Sequence, residues 1–297
     1  MMNNREIEEN FEEYSSHKKG ELEIEIDGQV CSARIFFFDE DFMKKHFTPH
    51  SDGRIIISKE VIEKFNPDNI DNSYFWKLAA KSFPVMAIGD KPEWLHTDDL
   101  RIKNFDAISN LHKPLGALSC LCSFLDRNPN ARILEIGPGF GNIKKYIENH
   151  YNIENYYAMD ICPHFEFERL YKCDGKNIPK EVPYPIDIVY AVNVFQHLTK
   201  EQKRSYYKQI EIILREGGEF IFQSFVATEK SLMEKNENNE YYFGVIDEDG
   251  QPYVHFFNQI TPVDFLEDII KEFEDLDLNL VDKVIFKNVG IFRAIKN

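Results

Sequence analysis

The segment Glu135-Ile136-Gly137-Pro138-Gly139-Phe140-Gly141 constrains this chain more than any other stretch. It follows the run Arg132 to Ile136, which reads as a strand, and precedes Ile143, Tyr146 and Ile147, which fall on one helical face at i, i+3 and i+4. A strand, alternating glycines and a helix together bring backbone close to a ligand and leave amide donors free at the helix start. Asn142 is expected to cap that helix. Dinucleotide-binding loops use Gly-x-Gly-x-x-Gly, whose third glycine permits close helix packing beside a pyrophosphate. Here Asn142 stands at that third position, so a nicotinamide ligand loses ground.

Downstream, strand and helix signals alternate over short connections, as in a doubly wound parallel sheet. Tyr156 to Met159 reads as a second strand ending at Asp160, and Leu170 to Cys173 as a third ending at Asp174. Thirteen residues lie between those aspartates, so the intervening helix is expected to be truncated or lost. Ile186 to Val192 is an apolar fourth strand of the doubly buried kind. Thr199-Lys200-Glu201-Gln202 has capping-box spacing, and the helix it opens should run to Gly217, with Glu219 to Phe225 as the fifth strand. Thr261-Pro262-Val263-Asp264 reads as another helix start before Phe265, Leu266, Ile269 and Phe273. The chain closes with apolar stretches at Leu276 to Ile285 and Val289 to Ile295, a strand pair with a turn near Lys287-Asn288. The expected class is α/β: a Rossmann-like, doubly wound, mostly parallel sheet with an antiparallel last strand, over residues 111–297.

Three features together resemble the class I S-adenosylmethionine-dependent methyltransferase family. They are Glu135-x-Gly137-x-Gly139-x-Gly141 after strand one, Asp160 closing strand two, and Asp174-Gly175 after strand three. Gly141 and Asp160 are nineteen residues apart, close to the roughly twenty at which an acid reaches a ribose hydroxyl in related folds. The resemblance implies S-adenosyl-L-methionine as cofactor. It further implies that Gly137 to Gly141 pass beside the methionine part, Glu135 helps hold the methionine end, Asp160 binds the ribose and Asp174 approaches the adenine amino group. Asn193 joins the cofactor residues as the first position after strand four.

Residues 1–110 read as a mixed α/β extension: a hairpin at Leu22 to Phe38 turning on Asp27-Gly28, a short strand at Ile55 to Ile57, and helical patterning from Asp71 broken at Phe83-Pro84 and Lys91-Pro92. Cap or dimerisation surface is its expected role. After strand five, residues 226–260 carry Tyr241, Tyr242 and Phe243, then Tyr253, His255, Phe256 and Phe257, and are expected to form a hairpin lid over the cofactor.

Methyl transfer from a sulfonium is an in-line displacement, so positioning and water exclusion dominate. A hydroxyl acceptor also needs a base, and His197 and His255 are the candidates, with His255 favoured for its aromatic surroundings. His197 also fits a packed histidine at a helix entrance. The formal net charge of -16 disfavours a nucleic-acid partner, and no apolar run reaches the roughly 20 residues of a membrane span. A cytoplasmic enzyme without a metal is expected, its five cysteines reduced. Its acceptor is expected to be a small molecule, first a sugar or nucleotide-sugar methylated on oxygen. The competing readings are N-methylation of a small amine or protein, and a cofactor-binding module that has lost its chemistry.

Overall fold

The computed structural model describes residues 23–26, 29–32, 37–38, 44–64, 66, 117–139, 141–163, 167–235, 239, 241, 243–256, 259–286 and 289–297. The helical patterning expected from Asp71 to Pro92 lies outside the described residues. The chain divides into two compact units, Met1–His96 with Ala227–Val263, and Thr97–Val226 with Asp264–Asn297.

The chain opens with strands β1 (Glu23–Ile26), β2 (Gln29–Ser32) and β3 (Phe37–Phe38), an antiparallel three-stranded sheet. Ile26 opposite Gln29 leaves the two positions of Asp27 and Gly28 for the expected turn. The apolar run from Val30 to Phe38 is not one strand, because β3 returns along β2 with Phe37 opposite Ser32. Next come β4 (Phe47–Pro49), β5 (Ile55–Ile57) and α1 (Lys59–Lys64).

The larger unit begins with α2 (Ala117–Arg127), β6 (Ile133–Ile136), α3 (Asn142–His150), β7 (Tyr156–Asp160), β8 (Leu170–Lys172), β9 (Ile186–Ala191), α4 (Lys200–Ile213) and β10 (Leu214–Ala227). Between β7 and β8 the described residues form only turns and bends, as the short spacing required. The fifth strand starts earlier than Glu219: backbone pairing resumes at Leu214, with a register shift before Glu219 that takes up Gly217 and Gly218.

The chain then crosses to the smaller unit through α5 (Glu229–Met233), β11 (Val245–Ile246), β12 (Tyr253–Phe256) and β13 (Gln259–Pro262). The hairpin expected in this insertion exists as β12 against β13, but the insertion folds with the N-terminal segment. β11 pairs in parallel with β5, and Ile260 is buried beside Phe47, Ile57 and Val61. Residues 227–263 therefore belong to the unit of residues 1–96, unlike the continuous division at residue 110 expected from sequence. The physical reason is the apolar Ile55–Ile57 strand, which offers Val245 and Ile246 an unfilled edge.

The return to the larger unit is β14 (Asp264–Phe265), α6 (Leu266–Glu274), β15 (Leu278–Phe286) and β16 (Val289–Lys296). Thr261-Pro262 and Asp264 thus lie in two strands separated by Val263, not in a helix cap. Thr261 pairs with Val254, Asp264 is buried in an ion pair with Lys203, and the helix starts after Phe265.

The main sheet has the order β15-β16-β10-β9-β6-β7-β8. β6 to β10 run parallel, and β16 lies antiparallel to both its neighbours. This is the expected α/β class, with helices on both faces. Leu134, Ile136, Val189, Phe220 and Phe222 face α4 and α6, where the Phe222 and Phe273 rings stack 5.7 Å apart. Ile133, Ala158, Ile188, Tyr190 and Ile221 face α2 and α3. Burial on both faces explains strands that read as unbroken apolar runs. At the amino edge, Asp187 accepts the Arg132 amide at 2.7 Å and pairs with Arg215, so it stands away from the carboxyl edge. No helix among the described residues is long and apolar enough to cross a membrane.

Candidate active site

In an open parallel sheet the ligand crevice lies beyond the carboxyl ends of the strands, and there the expected residues converge. β6 delivers the glycine loop. Gly137, Gly139 and Gly141 all have positive φ, at 68°, 55° and 74°. Gly141 itself caps α3, making Asn142 the first helical residue rather than the cap. That follows from the left-handed backbone at Gly141, a conformation that an L side chain resists. The Gly137 amide donates to the Met159 carbonyl at 2.8 Å, fastening the loop to β7. A Cβ at Gly139 would meet nothing within 4 Å, whereas one at Gly137 would stand 2.4 Å from a Val194 methyl. Gly137 thus makes room for the protein, and Gly139 leaves room for a ligand.

Glu135, two residues earlier, is buried on the face covered by α3 and accepts a hydrogen bond from the Tyr156 hydroxyl. Burial pushes its carboxyl up to about 8, the Tyr156 bond opposing and the Asp160 charge adding to the shift. Tyr156 was not singled out from sequence, because a tyrosine opening an apolar strand reads as packing. Its signal was positional: it sits on the strand beside Glu135, on the same sheet face.

Asp160 ends β7 almost fully buried. Its carboxylate accepts the Cys162 amide at 2.7 Å and those of Gly139 and Ile161, so the second strand grips the loop of the first. Burial raises it to about 6 despite those donors. Two adjacent acids displaced upward by desolvation mark a functional site more than a structural one.

Asp174 is exposed, and its turn occupies most of its lone pairs. Oδ1 accepts the amides of Lys176 and Asn177 at 2.8 and 2.7 Å, and Oδ2 the Asn177 side-chain amide at 2.6 Å. Desolvation acts to raise its carboxyl, but these donors outweigh it and hold the group below the ordinary aspartate value. With its own backbone amide also acting as a donor, the carboxylate is largely satisfied within its turn.

Past β9, Asn193 sits exposed at φ 58°, its side-chain oxygen accepting from Gln196 Nε2 at 3.3 Å. The next turn, Phe195–His197, is a single 3-10 turn that buries all three residues. Burial, with the nearby Lys203 charge, holds His197 down at about 3, so the imidazole is neutral. Lys203 pairs with Asp264, which also accepts from Ser224 Oγ at 3.3 Å. His255 belongs to the other unit: its backbone in β12 lies opposite Ile260, and its side chain is outside the described residues.

A parallel sheet of this order, open space at Gly139 and a buried acid closing the second strand place the candidate site at the carboxyl edge of an α/β domain. Residues 134–222 match the profile of the methyltransferase domain family. The chain is 26% identical over 126 residues to phosphoethanolamine N-methyltransferase of Plasmodium falciparum (isolate 3D7), a match covering 39% of this chain and 47% of that protein. The match therefore spans about half the length of that relative. Among solved structures, an S-adenosylmethionine-dependent methyltransferase from Clostridium acetobutylicum ATCC 824 has a TM-score of 0.44 at 16% identity, over 65% of this chain and 96% of its own. The 1,6-didemethyltoxoflavin-N1-methyltransferase of Burkholderia thailandensis has a TM-score of 0.43 at 13% identity, over 85% of this chain and 99% of its own.

Residues 134–222 carry a methyltransferase domain, and S-adenosylmethionine is its cofactor. The residues present fit that group. Gly139 leaves open space beside the loop, and Asp160 supplies a carboxylate already pre-aligned by three amides.

Proposed function

We propose that the chain methylates the nitrogen of a small amine. The observation that carries this reading is the state of His197. A general base works best with a pKa near the operating pH, and burial holds this imidazole at about 3. A hydroxyl acceptor needs its proton removed as it reacts, whereas an amine that binds neutral already presents its lone pair. The relative named above acts, by its name, on an amine nitrogen.

Within this reading the chain's residues chiefly bind and orient. Asp160 takes the ribose hydroxyls, Glu135 turns toward the methionine end, and the backbone from Gly137 to Gly141 lies against the chain between them. Asp174 stands at the adenine end, and Asn193 borders the methionine end. When bound, S-adenosylmethionine supplies a methyl group whose bond to sulfur breaks with the electron pair left on sulfur, while the acceptor lone pair forms the new bond and the surplus N–H proton passes to solvent.

Methylation of a sugar or nucleotide-sugar hydroxyl is the competing reading, and it would need a base other than His197, with His255 the candidate. The test is label transfer from methyl-labelled S-adenosylmethionine to paired panels of small amines and of neutral sugars. Label on amines alone is the expected result. Label on sugars alone refutes the amine reading.

A further inference from the structure

The carboxyl edge holds two buried side-chain oxygens with no hydrogen-bond partner among the described residues, Gln196 Oε1 and Gln223 Oε1. Gln223 is 5% exposed and Gln196 8%. A buried acceptor without a donor destabilises the fold that keeps it, so two at one edge point to a donor that arrives from outside.

Their position fits an acceptor site. Phe222 pairs with Ala191, so Gln223, one residue further, is level with Val192. On the other side of β9, Glu135 pairs with Tyr190, which puts Gly137 at the same level. Gly137, Val192 and Gln223 thus form a row across the edge, spanning two strand spacings, roughly 10 Å. Gln223 shares the sheet face of Ile221, which is also the face of Ile133 and Glu135. Gln196 stands just past β9, on the turn that Asn193 begins.

With Asp174 just past β8 to hold the adenine end, Asp160 on β7 the ribose and the β6 loop the methionine end, a bound cofactor would lie along the edge with its reactive end toward β9. The space beyond its reactive end then falls to β9 and β10, where the two glutamines stand. Lys200 and Lys203, in the first turn of the adjoining helix, are committed elsewhere, to Asp268 at 3.5 Å and to Asp264. Gln196 Oε1 and Gln223 Oε1 are the acceptor oxygens left for an incoming N–H group.

We infer that Gln196 and Gln223 form the acceptor-orienting pair, each carboxamide oxygen taking one N–H of a neutral primary amine. A primary amine has two N–H bonds and one lone pair. With both hydrogens held, the lone pair is fixed in the one remaining tetrahedral direction, which is what an in-line displacement needs. The pair also sets a stopping rule. A monomethylated amine has one N–H left and a dimethylated amine none, so each methylation removes a bond that held the acceptor.

This inference rests on the amine reading above, and the test separates the two. The full chain is given methyl-labelled S-adenosylmethionine with ethanolamine, N-methylethanolamine, N,N-dimethylethanolamine and a panel of further primary amines and their N-methyl forms. Primary amines are expected to react at least about tenfold faster than their monomethyl forms, the worth of one hydrogen bond of about 1.4 kcal/mol. Gln223→Leu and Gln196→Leu should each lose about tenfold on primary amines, with S-adenosylhomocysteine affinity by calorimetry changed less than about twofold. Gln223→Leu, with Gln223→Met as a second variant, should melt at or above the parent temperature, because an unpaired buried carboxamide costs the free protein stability. Transfer to primary amines that is indifferent to both substitutions, or a melting temperature several degrees lower in both Gln223 variants, overturns the inference and leaves the amine reading standing. Bound S-adenosylhomocysteine with no transfer to any amine overturns both.

Discussion

The Tyr156 hydroxyl donates to the Glu135 carboxyl from the neighbouring strand, on the sheet face beneath α3 and two residues before the glycine loop. Both partners are buried, and the carboxyl is displaced from 4.5 to about 8. The folded pKa lies above the unfolded one. The stability from this group is therefore full below about pH 4.5 and lost as pH rises to about 8. A ligand ammonium at the methionine end prefers the ionised form. Cofactor binding should then release a proton and tighten as pH rises from about 6 to 8. Calorimetry in two buffers of different ionisation enthalpy measures that proton. Glu135→Gln should abolish the release and flatten the pH dependence, and an unchanged proton count in that variant would refute the assignment.

The first two glycines of the loop separate fold from function. An added Cβ at Gly137 meets a Val194 methyl at 2.4 Å, in a backbone with φ of 68°. Gly137→Ala should therefore cost about 1–3 kcal/mol of stability, from overpacking added to left-handed strain. A Cβ at Gly139 meets nothing within 4 Å, so Gly139→Val should cost chiefly the backbone strain of roughly 1–2 kcal/mol while filling the space the cofactor would need. It should stay folded and lose S-adenosylhomocysteine binding. Thermal melts beside calorimetry distinguish the two outcomes, and a folded Gly139→Val variant with parental affinity would sink the loop assignment.

At the opposite edge, Glu219 is 3% exposed and held by Arg293 through two bonds, at 2.7 and 2.8 Å, and by Arg127 at 3.2 Å. Arg293 also reaches Asp282 at 2.7 Å, so three strands and α2 share one ion network. Removing one partner of a buried pair leaves an uncompensated charge, worth about 3–5 kcal/mol. Arg293→Met should fall at the low end because Arg127 remains. The double variant Arg293→Met/Glu219→Met should recover most of the loss. Denaturant titrations test this, and a double variant no more stable than the single would contradict the buried-charge account.

The sequence exposed the sheet more fully than the site. Strands β6, β7, β9 and β10 were legible because they are apolar runs buried in the sheet, β15 and β16 because two apolar stretches flank a turn, and Glu135, Asp160 and the glycines because spacing carries their chemistry. Asp264 was misread because a buried ion pair with Lys203, 61 residues away, leaves the same local pattern as a helix cap. The smaller unit was missed because β11 and β5 are short and joined only by tertiary pairing. Gln196 and Gln223 were invisible for another reason. A polar residue in an apolar run announces itself, but the absence of its partner is a fact of three dimensions.

The last prediction concerns His197 and decides between hydroxyl and amine chemistry. Removing a working general base costs 10²- to 10⁴-fold in rate, far more than losing a packing contact. Burial and the Lys203 charge hold His197 at about 3, so it is neutral throughout the range where enzymes of this kind are assayed. Its folded pKa lies below the unfolded 6.5. Its neutral form is thus favoured by folding above about pH 6.5, and that contribution is lost as the pH falls toward 3. Two consequences can be checked on one variant. His197→Gln should lower kcat by less than about tenfold at pH 7.5, with S-adenosylmethionine affinity unchanged, because the imidazole does not take the acceptor proton. The parent rate profile should have no inflection between pH 5 and 8 that disappears in the variant. A hundredfold loss of kcat, or an inflection near pH 6 to 7 abolished by the substitution, would make His197 the base and favour a hydroxyl acceptor.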